Sequence, residues 1–210
     1  MRAAGTTTLV LASASPARRA LLNAAGIDPQ VVVSGVDESV VREDSPQELC
    51  LTLARMKATE VARRLPAEGI SVGPGGRLLV LGCDSVLEFE GAVYGKPTDS
   101  DDATKRWRRM RGRSGVLHTG HYLIDLAGVT VGAVGSTVVH FAELTDDEIA
   151  AYVGTGEPLH VAGAFTIDGL GGPFVERIEG DHGTVVGLSL PLLRHLLDDL
   201  GVRLTDLWKS

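Results

Sequence analysis

Asp84 follows the apolar run Leu79-Val80-Leu81-Gly82-Cys83 and is itself followed by Ser85-Val86-Leu87. A Val- and Leu-rich run of this kind reads as a buried strand. A carboxylate is too costly to bury unpaired, so Asp84 is expected at the strand end, where the strand meets a cleft. Shortly after it, Gly95-Lys96-Pro97 offers a cation on a rigid turn. A carboxylate and a lysine so placed suit phosphate chemistry, although one aspartate in isolation reads rather as a turn cap. Upstream, Ser13-Ala14-Ser15 is a loop of small hydroxyl residues between an apolar stretch and Pro16. Ser15 suits an N-cap and Pro16 the first helical position. A strand, a hydroxyl loop and a helix N-terminus outline an anion site, because backbone N–H groups and the positive dipole end face the ligand. The loop is not a P-loop, since no Gly-Lys-Ser/Thr run occurs. Lys57 belongs to the same inventory of cations. On spacing alone it reads as a solvated helix lysine or as a phosphate ligand.

The elements that must position these residues can be read in order. Thr8 to Ala12 forms a first strand, and the helix opened by Ser15 carries Arg18, Leu21, Leu22 and Ala25 before stopping at Gly26. Val31 to Val33 reads as a second strand, followed by the acidic turn Gly35-Val36-Asp37-Glu38. Ser45-Pro46-Gln47-Glu48 starts a helix with cap, proline and capping-box glutamate, and its apolar residues Leu49, Leu53, Met56 and Val61 keep helical spacing. Residues 65–77, with Pro66, Gly69, Gly73, Pro74, Gly75 and Gly76, form a loop before the central strand. A hairpin at Glu88 to Ala92 and a helix capped by Ser100 follow. The arginines that close this helix read as a solvated helix end complementing the dipole rather than as a nucleic-acid patch. Gly115 to Phe141 reads as two or three strands with turns near Gly128 and Gly132. His118 and His121 fall on opposite faces there, which makes them poor metal co-ligands. Thr145-Asp146-Asp147-Glu148 is a further capping box. Gly154 to Gly172 is a long glycine-rich loop with embedded Phe165 and Ile167, and such loops are more often functional than filler. Phe174 to Ile178 resumes a strand, and Leu190 to Leu200 is a closing helix. Strands mixed with helices argue for an α/β or α+β fold around a mixed sheet.

Composition bounds the partners. With 210 residues and 44% hydrophobic content, the chain can build a sizeable single core, in one or two lobes. The net charge of −7 argues against non-specific binding to nucleic acid or an anionic membrane, so a polyanion must find a local basic pocket. The two cysteines, Cys50 and Cys83, make no disulfide framework and suit reduced core positions in a cytosolic protein. No apolar stretch approaches the roughly 20 residues needed to span a bilayer. The stretch beginning Met1-Arg2-Ala3-Ala4-Gly5 makes no convincing signal peptide.

Taken together, the motifs resemble one family. Leu9-Val-Leu-Ala-Ser-Ala-Ser-Pro-Ala-Arg-Arg-Ala-Leu-Leu is similar to the opening motif of the Maf nucleotide pyrophosphatases, also described as septum-formation inhibitors. The segments around Lys57, Gly82-Cys-Asp84-Ser-Val and Gly95-Lys96-Pro97 resemble its helix, central strand and lysine turn. Gly156-Glu157-Pro158, Ala162-Gly163-Ala164, Gly169 to Gly172 and Val185 to Pro191 resemble its later blocks. The resemblance covers nearly the whole chain, so residues 1–210 read as a single Maf-like domain. It implies an elongated mixed β-sheet flanked by helices, with two lobes around a central cleft, like the inosine triphosphate pyrophosphatases. It implies hydrolysis of a normal or modified (deoxy)nucleoside triphosphate to monophosphate and pyrophosphate, with a divalent cation (Mg or Mn), in a cytoplasmic homodimer. Asp84 then matches the general base, Lys57 and Lys96 the phosphate-binding lysines, and Glu38 the acidic residue that joins Asp84 near the metal. Ser13, Ser15 and Arg18 match the phosphate-binding first loop. A nucleotide-binding regulator of cell division with little turnover is the alternative, although a pure binder has no need of a general base.

This sequence departs from the family pattern at Ala17, where an arginine is usual, and at Ser85, where a threonine is usual. It departs again at Phe165-Thr166-Ile167-Asp168-Gly169, in place of Tyr-Gly-Ile-Gln-Gly. These positions resemble the base-selecting ones of members that cleave thymidine and uridine triphosphates, so Ser85 and Asp168 are expected to alter the preferred base. The residue types fit the chemistry independently. Lysines and a helix N-terminus suit a triphosphate, oxygen ligands suit a hard cation, and Asp84 can orient and deprotonate a water at the α-phosphorus.

Overall fold

A computed structural model describes residues 7–71, 73 and 75–208; Met1 to Gly5 and Pro74, read above, lie outside the described residues. A mixed, seven-stranded sheet runs β2-β1-β3-β5-β6-β7, with β4 paired to β3. Its strands are β1 (Thr7–Leu11), β2 (Gln30–Val31), β3 (Arg77–Phe89), β4 (Ala92–Tyr94), β5 (Ser114–Asp125), β6 (Thr130–Phe141) and β7 (Val175–Glu179). The helices are α1 (Pro16–Ala24), α2 (Pro46–Arg64), α3 (Ser100–Met110), α4 (Asp146–Gly154), α5 (His182–Val186) and α6 (Leu190–Asp199). β1 pairs in parallel with β2 and β3, whereas β3–β4 and β6–β7 are antiparallel. The chain divides into two compact units, residues 1–84, 120–134 and 187–210 in the first and 85–119 and 135–186 in the second.

The first unit is layered by the alternation of β1 and β3. Leu9, Leu11, Leu79, Leu81 and Cys83 pack with Leu22 of α1 and Leu193, Leu196 and Leu197 of α6. Val10, Ala12, Leu78 and Val80 point the other way, onto Ala58, Val61 and Leu65. Two glycines bring α2 against the sheet. A Cβ on Gly82 would lie 2.9 Å from the Ala58 amide nitrogen and closer still to the Ala54 carbonyl oxygen; one on Gly120 would meet the backbone of Cys50 and Leu51. The second unit is built around Trp107, whose ring meets Phe141, Tyr152 and Phe174 edge-on, and whose indole N–H donates to the Ala164 carbonyl at 2.7 Å.

Several local expectations hold for stated reasons. Ser15, Ser45 and Thr145 cap α1, α2 and α4, and Glu148 completes its capping box. The β3–β4 hairpin turns on Glu90 and Gly91, both at positive φ, as a two-residue hairpin turn requires. Cys50 and Cys83 are free and buried. His118 hydrogen-bonds Ser136 and Glu88, while His121 accepts from the Ser189 amide, so the two face separate partners. Other expectations are corrected. β3 does not end at Asp84 but continues to Phe89, since Val86, Leu87 and Phe89 extend the apolar run on its far side. The second strand shrinks to Gln30–Val31, at the sheet edge, and Val33 is exposed. Asp99, rather than Ser100, caps α3, its carboxylate accepting from the Asp102 amide. Only two strands span Ser114 to Phe141, because Gly132 lies within β6 beneath Tyr122 and Leu51 instead of turning the chain. Among the described residues, no helix is long and apolar enough to cross a membrane.

Candidate active site

Lys57 lies on the buried stripe of α2, in helical register with Leu53, Ala54, Ala58 and Val61. The approach of α2 to Gly82 sets that stripe on β3, and Asp84 lies two residues beyond Gly82 on the same strand face. The result is an ion pair of 2.5 Å between Lys57 Nζ and Asp84 Oδ1, with both side chains almost wholly buried. The same ammonium lies 2.7 Å from Glu38 Oε1, whose carboxylate is half exposed. Glu38 opens a 3-10 turn, Glu38–Val40, capped by Asp37 through the Ser39 amide and hydroxyl. Burial raises the Asp84 carboxyl above the ordinary range, against the lowering pull of Lys57 and Arg18. Raised basicity suits a group that must take a proton near neutral pH.

The first loop is drawn into the same unit. Arg18 is buried, its Nε donating to Gly187 O at 2.7 Å and its Nη1 to Ser13 Oγ and Cys83 O at 3.1 and 2.9 Å. The guanidinium thus ties α1, β3 and the residue following α5 together, and orders Ser13. Ser13 Oγ also accepts from the Ser15 amide, and Ser15 Oγ from the Arg18 amide. A pocket of about 400 Å³ beside this loop is lined by Ser13, Ser15, Asn23, Val31 and Arg19. Arg19 is exposed there.

The remaining predicted residues lie in the second unit. Ser85 shares a 2.8 Å hydrogen bond with Thr119, whose hydroxyl donates to Thr184 O. Lys96 is exposed at the turn after β4, and Asp168 is exposed at the tip of the glycine-rich loop. Motif reading missed Glu157, beyond noting its block. Its carboxylate collects donors from Tyr152, Thr166, Leu170 and Gly171. No periodicity marks such a residue; only its position between Gly156 and Pro158 sets it apart.

Both thiols are buried. Burial pushes Cys50 up to about 12, helped by the charge of Asp84, and Cys83 up to about 11, so neither forms a thiolate readily. Among the described residues, no group of three His, Cys, Asp or Glu side chains converges on a metal-sized centre. Two carboxylates nevertheless meet on one ammonium, and hard cations of the Mg type are commonly held by one or two carboxylates together with substrate phosphates. The donor set therefore fits such an ion.

A buried aspartate that shares a lysine with a second carboxylate, in a mixed α/β protein, offers groups that phosphate-anhydride chemistry can use. The comparisons narrow that class. The chain belongs to the Maf family: the profile described as Maf-like protein matches residues 8–200. A nucleoside triphosphate pyrophosphatase of Salinispora tropica is 68% identical over 95% of this chain and 87% of the relative. Proteins of the same name from Streptomyces coelicolor and Microcystis aeruginosa are 58% and 51% identical, over 95% of this chain and 94% and 98% of their own. A solved dITP/XTP pyrophosphatase of Mycobacterium abscessus matches at a TM-score of 0.36 and 14% identity over 65% of this chain and 75% of its own, too slight a likeness to bear on the fold.

Proposed function

We propose that this chain hydrolyses a nucleoside triphosphate to the monophosphate and pyrophosphate, with Asp84 as general base. The observation that carries the reading is the buried Asp84–Lys57 pair, in a family whose similar members are named for that activity. Asp84 orients the attacking water and takes its proton as the water attacks the α-phosphorus. Lys57 holds the Asp84 carboxylate in place and is available to a phosphate oxygen when substrate competes for its ammonium. Arg18 fixes the Ser13 loop, whose hydroxyls and the α1 N-terminus face the phosphates. Lys96 serves as a further phosphate ligand, and Ser85 and Asp168 bear on the choice of base. Glu38 and Asp84 would hold a divalent cation, Mg or Mn, which neutralises charge developing on the phosphoryl oxygens.

The test is pyrophosphate release over a panel of normal and modified nucleotides, with and without Mg or Mn. Release from at least one triphosphate, lost in Asp84→Asn, is the expected result. Inert protein across the panel, or an Asp84→Asn variant that turns over normally, overturns the reading.

A further inference from the structure

The segment Thr166-Ile167-Asp168-Gly169-Leu170-Gly171 has little apolar content with which to hold a shape, and Asp168, Gly169 and Leu170 are exposed. One carboxylate gathers several of its donors, and the Gly171 amide is shared with Thr166 Oγ1 at 3.2 Å. Glu157 Oε1 accepts from the Thr166 hydroxyl, from the Gly171 amide at 3.1 Å and from the Tyr152 hydroxyl at 3.2 Å, while Oε2 accepts from the Leu170 amide at 3.0 Å. Tyr152 in turn accepts from the Thr166 amide and is itself fixed in the aromatic core. The loop leaves no room for side chains on its inner side. A Cβ on Gly169 would lie 2.7 Å from Glu157 Oε2, and one on Gly171 2.6 Å from Thr166 O. Burial opposes the charge of Glu157, yet the hydrogen bonds from Thr166, Leu170 and Gly171 outweigh it and hold the carboxyl below its ordinary range.

We infer that Glu157 is the positioning residue that fixes the Asp168-bearing loop and so sets which nucleobase the enzyme accepts. The inference rests on the proposed pyrophosphatase reading, in which this loop bears on the base. A base-reading edge discriminates only when its donors and acceptors are held in place, because rejection comes from leaving a buried polar group unpaired. Glu157 touches no reacting atom. Its effect passes through the backbone of residues 166–171.

Two readouts test this on the full chain. In Glu157→Gln, an amide NH2 replaces an acceptor and opposes a loop N–H. Hydrogen exchange at the Leu170 and Gly171 amides should quicken by about tenfold or more, the scale of a lost charge-assisted hydrogen bond. Exchange in β1 and β3 should not change. The spread of kcat/KM across UTP, dTTP, CTP and GTP should shrink about tenfold, mainly through KM, with kcat at saturation within about twofold. Thr166→Val, which removes one donor, should move both readouts in the same direction by less. Unaltered exchange at 170 and 171, or an unaltered base ranking in a variant with loosened exchange, overturns the inference. Faster exchange throughout the chain also overturns it, by making Glu157 a general stabiliser. No turnover combined with base-ranked nucleotide binding that Glu157→Gln flattens would sink the hydrolase reading and leave the inference standing. Turnover with the ranking intact in Glu157→Gln would do the reverse.

Discussion

Asp84 is a carboxylate held by one lysine and Glu157 one held by several neutral donors, and their surroundings drive them apart. Asp84 is buried against a lysine, and burial raises its carboxyl above the ordinary range. Glu157 is wrapped by neutral hydroxyl and amide donors, which lower its carboxyl despite burial. A carboxylate whose oxygens accept several neutral hydrogen bonds gives up its basicity to structure. One desolvated beside an ammonium that also pairs with Glu38 keeps a raised basicity. The first arrangement suits a loop anchor and the second a proton acceptor.

The largest expected effect is kinetic. Asp84→Asn should lower kcat by about 10²–10⁴-fold while nucleotide binding survives; an equal loss in Glu157→Gln would break the contrast between the two carboxylates. Next is Lys57→Met, which strands Asp84 without its ammonium. Chemical denaturation at pH 7 should show a loss of about 3–5 kcal/mol, shrinking in acid as Asp84 becomes neutral. Gly82→Ala forces the backbones of β3 and α2 apart and should cost about 1–3 kcal/mol along with activity, through the displaced Lys57. Gly95→Ala, with nothing within 4 Å of the added carbon, serves as its near-neutral control.

Stability against pH sharpens the same comparison with a smaller signal. Asp84 is raised from the ordinary 3.8, so its contribution is complete below that value and is lost as pH rises through its own pKa. Glu157 is lowered from the ordinary 4.5, so its contribution is present above that value and is lost as pH falls through its own pKa. Wild type should therefore lose ground to Asp84→Asn as pH rises towards neutrality, and lose its advantage over Glu157→Gln in acid. Denaturation midpoints across pH 3–8 would show difference curves of opposite slope; parallel curves would break the comparison. The smallest effect is expected at the exposed Lys96. Lys96→Ala should weaken triphosphate binding by about tenfold and monophosphate binding less, as calorimetric titration would show; equal affinities in variant and native protein would leave Lys96 a surface residue.

Sequence alone carried the local grammar and the family. Caps at Ser15, Ser45 and Thr145, the turn at Glu90-Gly91 and the apolar run before Asp84 follow from short-range chemistry. The ordered motifs from Leu9 to Pro191 named the Maf family before any coordinate was needed. Lys57 was legible as a helix lysine and a candidate phosphate ligand, but its place among the buried residues of α2 came from the structure. Tertiary structure decided the rest. That Asp84 lies within a strand, that Lys57 holds it and Glu38 together, and that Arg18 is bound up in protein carbonyls and Ser13 all depend on contacts between distant segments. So does the gathering of loop donors on Glu157, which no spacing announces. Periodicity reports which face a residue shares with its near neighbours. The pairing of a buried charge is settled only when the folded chain brings its counter-charge or its donors to it.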